Sequence, residues 1–553
     1  YRNAALRAKK AGFDIIYCYA AHNMTLAFHL LSKYNDRSDE YGGSLENRVR
    51  FLRELIEDTK EAVGDTCAVA VRFAVDELVG DAGMTANGEA QEIVSMLAEL
   101  PDLWDVNVSP WKNDSSTSRF EKQGFQEKYI SFVKKLTTKP VVGVGRYTSP
   151  EAMVSAIQRG VMDLIGAARP SIADPFLPTK IKENRVEDIR ECIGCNICVT
   201  GDTRFVPIRC TQNPTMGEEW RRGWHPEILA PKKSDKEIMI VGAGPAGLEA
   251  ARALGQRGYN VILTEARREA GGRVLLESTL PGLIEWRRVI DYRLTQMQKM
   301  PNVTFYPSSK MSAQDVLESG ICNVIVATGS TWRRDGVGRA RQEPITSDNN
   351  IFTPDDIMES GSLLPKVQQL AVGLHKVLIY DDDHYYMGSV LAELLAQNGC
   401  DVTLMTPAPV VSFWTEFTLE RAKIHKRLLS LGVTLLPNHE FASLAPQAAT
   451  VINNVSSTES TLHCDAVVMV TDRIPNDGLY HELKSALAEG KLESVRVIGD
   501  AEAPNIIAQA VFSGHFAARE FDETINRDET PFRVERVGVT PRPERNDERS
   551  RGV

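Results

Sequence analysis

Four cysteines within residues 191–210 constrain this chain more than any other feature. The stretch reads Glu-Cys-Ile-Gly-Cys-Asn-Ile-Cys-Val-Thr-Gly-Asp-Thr-Arg-Phe-Val-Pro-Ile-Arg-Cys, so Cys192, Cys195, Cys198 and Cys210 follow a C-x2-C-x2-C-x11-C pattern. The first three fall on one tight turn, which makes their sulfurs converge. Cys210 returns from a longer loop to complete a four-thiolate cage. Three closely spaced cysteines plus a distant fourth suit a 4Fe–4S cluster, in which each iron takes one thiolate. Zinc usually takes paired C-x-x-C knuckles, and here the third cysteine follows at once. Crowded C-x-x-C turns also make a poor disulfide framework. A cluster of this kind passes single electrons, so the flanking regions are expected to be redox machinery.

Residues 1–185 alternate strand and helix. Apolar runs at 13–19, 67–73, 104–108, 140–145 and 164–168 read as strands, with helices such as 44–63 and 149–159 between them. Single buried strands alternating with helices mean a parallel sheet. Polar residues follow the strand ends: Tyr19 and His22, Arg72, Trp111 and Asp114, Arg146, Arg169. That is where a TIM (β/α)8 barrel keeps its chemistry. Five strands are counted of the eight a barrel needs, so the reading is a partial barrel whose first three strands precede Tyr1. Gly143-x-Gly145-Arg146 and Gly166-Ala-Ala-Arg169 close the last two strands. Their backbone amides and two arginines predict a phosphate seat, although plain turn chemistry would use the same glycines.

A second region opens near Glu237. A strand at 238–241 runs into Gly242-Ala-Gly244-Pro-Ala-Gly247 and a helix at 248–257, and the next strand ends at Glu265. Strand, glycine turn, helix and an acidic residue about 20 positions on together predict a dinucleotide-type site. The glycines permit the turn and close approach to a pyrophosphate, and Glu265 is placed to accept from ribose hydroxyls. Gly271-Gly272-Arg273 continues the site, and a strand at 495–500 delivers Gly499 and Asp500 to the same nucleotide. Between them lies a second βαβ-like unit whose turn is Asp381-Asp-Asp-His-Tyr-Tyr-Met-Gly388. Three aspartates there would repel a pyrophosphate, so this unit is read as a nucleotide fold that binds no nucleotide.

The fold class expected is thus α/β: a partial TIM barrel followed by two Rossmann-like three-layer nucleotide-binding domains. The boundaries expected are 1–185 for the barrel, 186–230 for the cysteine segment, 231–372 plus 476–526 for the first nucleotide domain, 373–475 for the degenerate one and 527–553 for a draping tail. At 553 residues, with 42% hydrophobic and 25% charged residues, such a set of cores can be filled. A net charge of −10 gives a nucleic-acid partner no electrostatic support. No apolar run is long enough to span a membrane. Nine cysteines, five of them scattered through mostly apolar runs, fit a reducing cytoplasm.

Several longer motifs carry a resemblance. Asp36-Arg-Ser-Asp-Glu-Tyr-Gly-Gly-Ser-Leu-Glu-Asn-Arg48 is similar to the signature of old yellow enzyme barrels. Barrel, Cys-Ile-Gly-Cys-Asn-Ile-Cys-Val, Cys-Thr-Gln-Asn, Gly217-Glu-Glu-Trp-Arg-Arg-Gly-Trp-His-Pro-Glu227 and the Gly-Ala-Gly-Pro-Ala-Gly domain, in that order, resemble the trimethylamine/dimethylamine/histamine dehydrogenase family. The resemblance runs to about residue 525. It implies FMN in the barrel, a 4Fe–4S cluster on the four cysteines, ADP (or FAD) in the glycine-turn domain, an electron-transferring flavoprotein as acceptor, and a homodimer. Tyr19, His22 and Asp114 match the family's active-site set. Arg72 matches the arginine beside the flavin pyrimidine edge, and Trp111 matches one wall of the amine bowl. Trimethylamine dehydrogenases carry a tryptophan four residues after the third cysteine, where it faces a methylated ammonium. Here that position is Asp202, a carboxylate suited to a cation with N–H groups. The substrate implied is histamine or a similar amine, oxidised to an aldehyde plus ammonia. Tyr385 and Tyr386, on the aspartate-rich turn, fall near the acceptor's docking region, either exposed there or packed. The competing readings are a trimethylamine or dimethylamine dehydrogenase, an NADPH-dependent dienoyl-CoA or enoate reductase with FAD in the second region, and an inactive fragment.

Overall fold

In the computed structural model, residues 1–345, 350–358 and 375–523 are described. The expected tail at 527–553 and the expected boundary at 372–373 lie outside them.

The first sheet has five parallel strands in the order β1 (Ile15–Ala20), β2 (Ala68–Asp76), β3 (Leu103–Val108), β4 (Val141–Gly143) and β5 (Leu164–Ile165). Neighbours in space are neighbours in sequence, each step crossing through helical chain, as βα units require. Val69, Val71, Phe73 and Val75 on β2, with Trp104, Val106 and Val108 on β3, are wholly buried. The long helix Leu45–Val63 is capped by Ser44, whose side chain accepts from the Asn47 amide, and buries Val49, Leu52 and Ile56 against the sheet. The fifth strand is shorter than expected. Residues Ala168–Ala173 turn helical, with Pro170 in the first turn where a missing N–H costs nothing.

The second sheet, also parallel, runs β20 (Ser494–Val497), β9 (Asn323–Val326), β6 (Glu237–Val241), β7 (Asn260–Thr264), β8 (Val303–Tyr306). The helix after β6 begins at Pro245, earlier than the expected 248, because proline is preorganised for the first helical position. The third sheet runs β11 (Ile351–Phe352), β18 (Ala466–Val470), β12 (Lys376–Asp381), β13 (Asp401–Met405), β14 (Thr434–Leu436), again all parallel. Two additions escape the sequence pattern. One is an antiparallel sheet of β15 (His439–Ala445), β16 (Ala448–Asn453) and β17 (Glu459–His463). The other is a ribbon in which β10 (Ser330–Trp332) pairs antiparallel with β19 (Arg473–Pro475), joining the second and third sheets.

Buried charge fixes the cysteine loop to this frame. Glu249, on the helix Pro245–Arg257, is fully buried and accepts from Arg252, from Arg293 at 2.8 Å and from His515 at 2.8 Å. Burial opposes its charge, but the Arg252 and Arg293 cations and the His515 hydrogen bond hold its carboxyl well below the usual range. Burial in turn pushes His515 down to about 4, so it is neutral at physiological pH. Arg293 also donates to the side chain and carbonyl of Gln212, two residues beyond Cys210. Removing one partner of such a set strands the others and costs about 3–5 kcal/mol. Arg119, with Ser389 and Glu393, and Thr117, with Glu420, tie the barrel to the third sheet's helices.

Candidate functional site

At the C-terminal ends of β1–β3, strand register does the first part of the assembly. Tyr19 is opposite Arg72, and Arg72 is opposite Asp105. The chain then leaves β1 in a left-handed turn, His22 having φ 60°, which carries the imidazole back over the strand end. Tyr19 Oη lies 2.5 Å from His22 Nδ1, and His22 Nε2 lies 2.9 Å from Asp114 Oδ2. Asp114 sits with half-buried Trp111 on the short helix Trp111–Asp114, and its other oxygen accepts from Gln126 at 2.7 Å. Arg72 donates to Asp105 at 2.9 Å and reaches Asp114 at 3.5 Å. Burial works against the Asp114 charge, but the bond and charge of His22 and then Arg72 hold its carboxyl below the usual range. Burial raises Tyr19, so it remains a phenol, and burial also raises Asp105 against the pull of Arg72.

The sequence reading missed Asn107, Asp105 and Gln126. Asn107 Nδ2 is 2.8 Å from His22 Nε2, while its buried Oδ1 has no partner among the described residues. With Asp114 ionised, His22 Nε2 is a donor, and an amide turned over presents its oxygen to that N–H. The signal was present in Leu-Trp-Asp-Val-Asn-Val: alternation puts Trp104, Val106 and Val108 on one face, and the polar Asp105 and Asn107 on the other. Asp202 is not brought to this set. It is exposed near the end of the helix Ile197–Thr203, and no hydrogen bond or ion pair joins its carboxylate to Tyr19, His22, Trp111 or Asp114 among the described residues.

The expected phosphate seat is altered. A Cβ on Gly143 would meet Met162 and Ile130 at 2.6–2.7 Å, and one on Gly166 would meet Val144 at 2.6 Å, so close packing alone requires both glycines. Gly145 has φ 157°, a conformation side chains rarely adopt, a Cβ on it would lie 3.1 Å from Gly124 Cα, and its carbonyl accepts from Gly124. Arg146 keeps one buried nitrogen, Nη1, without a partner among the described residues. Arg169 is committed elsewhere: it donates to the carbonyls of Ser115 and Ser116 and, at 2.7 Å, to Asn196 Oδ1 beside the cysteines.

Cys192, Cys195, Cys198 and Cys210 line one small cavity with Arg169, Asn196, Thr211 and Gln212. Among the described residues no group of three or more His, Cys, Asp or Glu side chains is placed to hold a metal ion; the four thiols surround a space instead. Burial pushes Cys195 up to about 12 and Cys210 up to about 11, and raises Cys198 as well.

A cavity of about 560 Å³ starts at the glycine turn of the second sheet. Gly242, Gly244, Glu265, Arg267, Gly272, Arg273 and Asp500 line it, and it extends to Cys195, Tyr385 and Tyr386. Gly247 and Gly499 serve packing instead. A Cβ on Gly247 would lie 1.9 Å from the Gly242 carbonyl, and one on Gly499, φ 64°, would lie 2.7 Å from Ala246 Cβ. Glu265 reaches the cavity while accepting the Ala243 and Arg267 amides. Asp500, expected to be delivered to the nucleotide, is paired with Arg273 at 3.1 Å and Arg473 at 2.7 Å. Tyr385 is buried and packs on Trp414, with ring centres 4.8 Å apart, so of the two expectations for this turn the packed one holds.

Residues 1–188 match the NADH:flavin oxidoreductase / NADH oxidase family, and residues 236–497 match the pyridine nucleotide-disulphide oxidoreductases. Dimethylamine dehydrogenase of Hyphomicrobium sp. (strain x) is 40% identical over 99% of this chain and 78% of its own length. Histamine dehydrogenase of Rhizobium sp. 4-9 superposes with a TM-score of 0.93 at 49% identity, covering 98% of this chain and 78% of that one. The 6-hydroxypseudooxynicotine amine oxidase of Pseudomonas geniculata N1 gives 0.90 at 48%, over 95% and 77%. Identity sustained through barrel, cysteine segment and nucleotide units places this chain in the trimethylamine/dimethylamine/histamine dehydrogenase family, flavin-dependent oxidoreductases that act on amines.

Proposed function

We propose that this chain oxidises a primary amine such as histamine to the imine, which water hydrolyses to an aldehyde and ammonia. The observation that carries the reading is the Tyr19–His22–Asp114 chain of hydrogen bonds beside Arg72. FMN, when bound, would supply the two-electron acceptor, and a 4Fe–4S cluster the single-electron outlet towards an electron-transferring flavoprotein. The residues fit the flavin: Arg72 Nε and Arg146 Nη1 are buried donors without partners among the described residues, and a flavin's pyrimidine edge and phosphate are the acceptors such groups require. The donor set fits the cluster, with four cysteine sulfurs around one space.

The protein's own share is a proton and hydrogen-bond relay. Ionised Asp114 takes the His22 Nε2 proton as a hydrogen bond, which leaves Nδ1 as an acceptor for the Tyr19 hydroxyl. The Tyr19 oxygen then faces the substrate with free lone pairs and accepts from an amine N–H. This orients the amine and, through His22, gives an outlet for its proton. Arg72, held between Asp105 and Asp114, presents fixed positive charge where negative charge accumulates.

For substrate, support comes from the 49% identity to a histamine dehydrogenase against 40% to a dimethylamine dehydrogenase. If Asp202 holds the far end of the amine, Asp202→Ala should raise KM for histamine while sparing simple alkylamines. Equal kcat/KM for histamine and dimethylamine in the unaltered enzyme would sink the histamine reading. His22→Gln should lower kcat/KM by about 10²–10⁴. The glycine-turn cavity is assigned to ADP, with FAD the alternative, which denaturing the protein and identifying the released nucleotide decides. The working assembly is proposed as a cytoplasmic homodimer. No helix among the described residues is long and apolar enough to cross a membrane.

A further inference from the structure

We propose that Asp500 is an internal counter-ion: it occupies Arg273 and Arg473 until the terminal phosphate of a nucleoside diphosphate replaces it. This rests on the reading of the glycine-turn cavity as a nucleotide site. The Asp500 carboxylate is 14% exposed, and a single oxygen, Oδ2, receives Arg273 Nη1 at 3.1 Å, Arg473 Nη1 at 2.7 Å and the Ser330 hydroxyl at 3.0 Å. Its other oxygen accepts the Asn505 amide at 3.1 Å. All five residues line the same cavity. Three donors on one oxygen exceed what its lone pairs satisfy well, whereas a terminal phosphate spreads its charge over three oxygens.

The position suits the second phosphate and not the first. Gly272 and Gly244 meet at backbone distance, a Cβ on Gly272 falling 3.1 Å from Gly244 Cα, so the Arg273 side chain departs from the very turn that starts the 13-residue helix Pro245–Arg257. The first phosphate belongs at that helix N-terminus, which leaves Arg273 and Arg473, paired through Asp500, for the second. Trp332 backs both guanidinium groups, whose central carbons lie 6.0 Å (Arg273) and 5.2 Å (Arg473) from its ring centre. The indole keeps them side by side, an arrangement that needs an anion between them. Arg473 also enters from the ribbon that joins the second and third sheets, so the exchange of anions ties both units to the ligand.

The test uses the full chain stripped of nucleotide, with ADP and AMP as probes in equilibrium binding. Asp500→Asn removes the competitor, and ADP should bind about fivefold to tenfold tighter while AMP changes less than about twofold. Arg473→Gln should weaken ADP about tenfold and leave AMP unchanged. Weaker ADP binding by Asp500→Asn, or equal shifts for both nucleotides, overturns the counter-ion role while leaving the nucleotide site standing. Failure of the stripped wild-type chain to bind either nucleotide overturns the site and the counter-ion together. Should Asp500→Asn not fold, Arg473→Gln decides alone: an ADP-to-AMP preference that does not shrink refutes the proposal.

Discussion

The first nucleotide-type unit and the second are built alike, strand, turn and helix on a parallel sheet, yet only the first keeps its turn open. After β6 the chain turns at Gly242, φ 105°, and leaves a cavity in front of the helix N-terminus. After β12 the same place is filled by the chain itself. Asp381 Oδ1 accepts the His384 amide at 3.0 Å, His384 Nε2 lies 3.1 Å from Asp382, and a Cβ on Gly388 would meet the Asp381 carboxylate at 2.7 Å. Both units keep their apolar strands, so the fold survives either turn. Ligand capacity resides in a few turn atoms, and the architecture alone says nothing about it.

The sharpest way to break this contrast is Gly247→Ala. Its Cβ would sit 1.9 Å from a backbone carbonyl that cannot swing away, so a loss of about 3 kcal/mol or more is expected in denaturant unfolding. A stability change under 1 kcal/mol would show that the first turn is not closely packed.

Asp381→Asn probes the second turn. Burial, helped by Asp383 and Asp382 and opposed by His384, pushes the Asp381 carboxyl up to about 7 from its ordinary 3.8. The folded protein therefore holds this proton more tightly than the unfolded chain. Stability from this group is full below 3.8 and falls as pH rises through about 7. The asparagine variant should lose that slope and gain roughly 1–3 kcal/mol on the wild type at pH 8. Parallel melting-temperature curves from pH 5 to 8 would contradict the closed-turn account.

Gly244→Ala gives the smallest structural effect. The nearest atom to its Cβ is Gly272 Cα at 4.0 Å and its φ is −74°, so unliganded stability should stay within about 0.5 kcal/mol. The added methyl stands where a pyrophosphate approaches, and ADP affinity should fall about tenfold. Unchanged affinity would place the phosphates elsewhere in the cavity.

Much of the fold was legible because apolar runs of strand length alternate with helical ones. The β1–β4 positions, the glycine turn and the aspartate-rich turn all follow from that pattern. The antiparallel β15–β17 sheet did not, since its two outer strands are largely exposed and mix polar with apolar residues. At the site, Tyr19, His22, Asp114 and Arg72 were legible as strand-end polar residues. Asp105 and Asn107 were not, because they lie inside a strand that reads as core. Arg169 and Asp500 were read as cofactor-binding residues, but the partners they take in the structure come from distant segments: Asn196 for one, Arg473 for the other. No local pattern encodes those pairings.

Ile193, Cys195 and Thr211 line both the four-cysteine cavity and the nucleotide cavity. A single layer of side chains thus serves as the wall of two chambers, and an occupant of either one presses on atoms the other must use. Linkage makes that relation symmetric: whatever factor a nucleotide applies to retention of a cluster, the cluster applies to retention of the nucleotide. With a cluster and a nucleotide bound as proposed, retention of each is expected to depend on the other by the same factor.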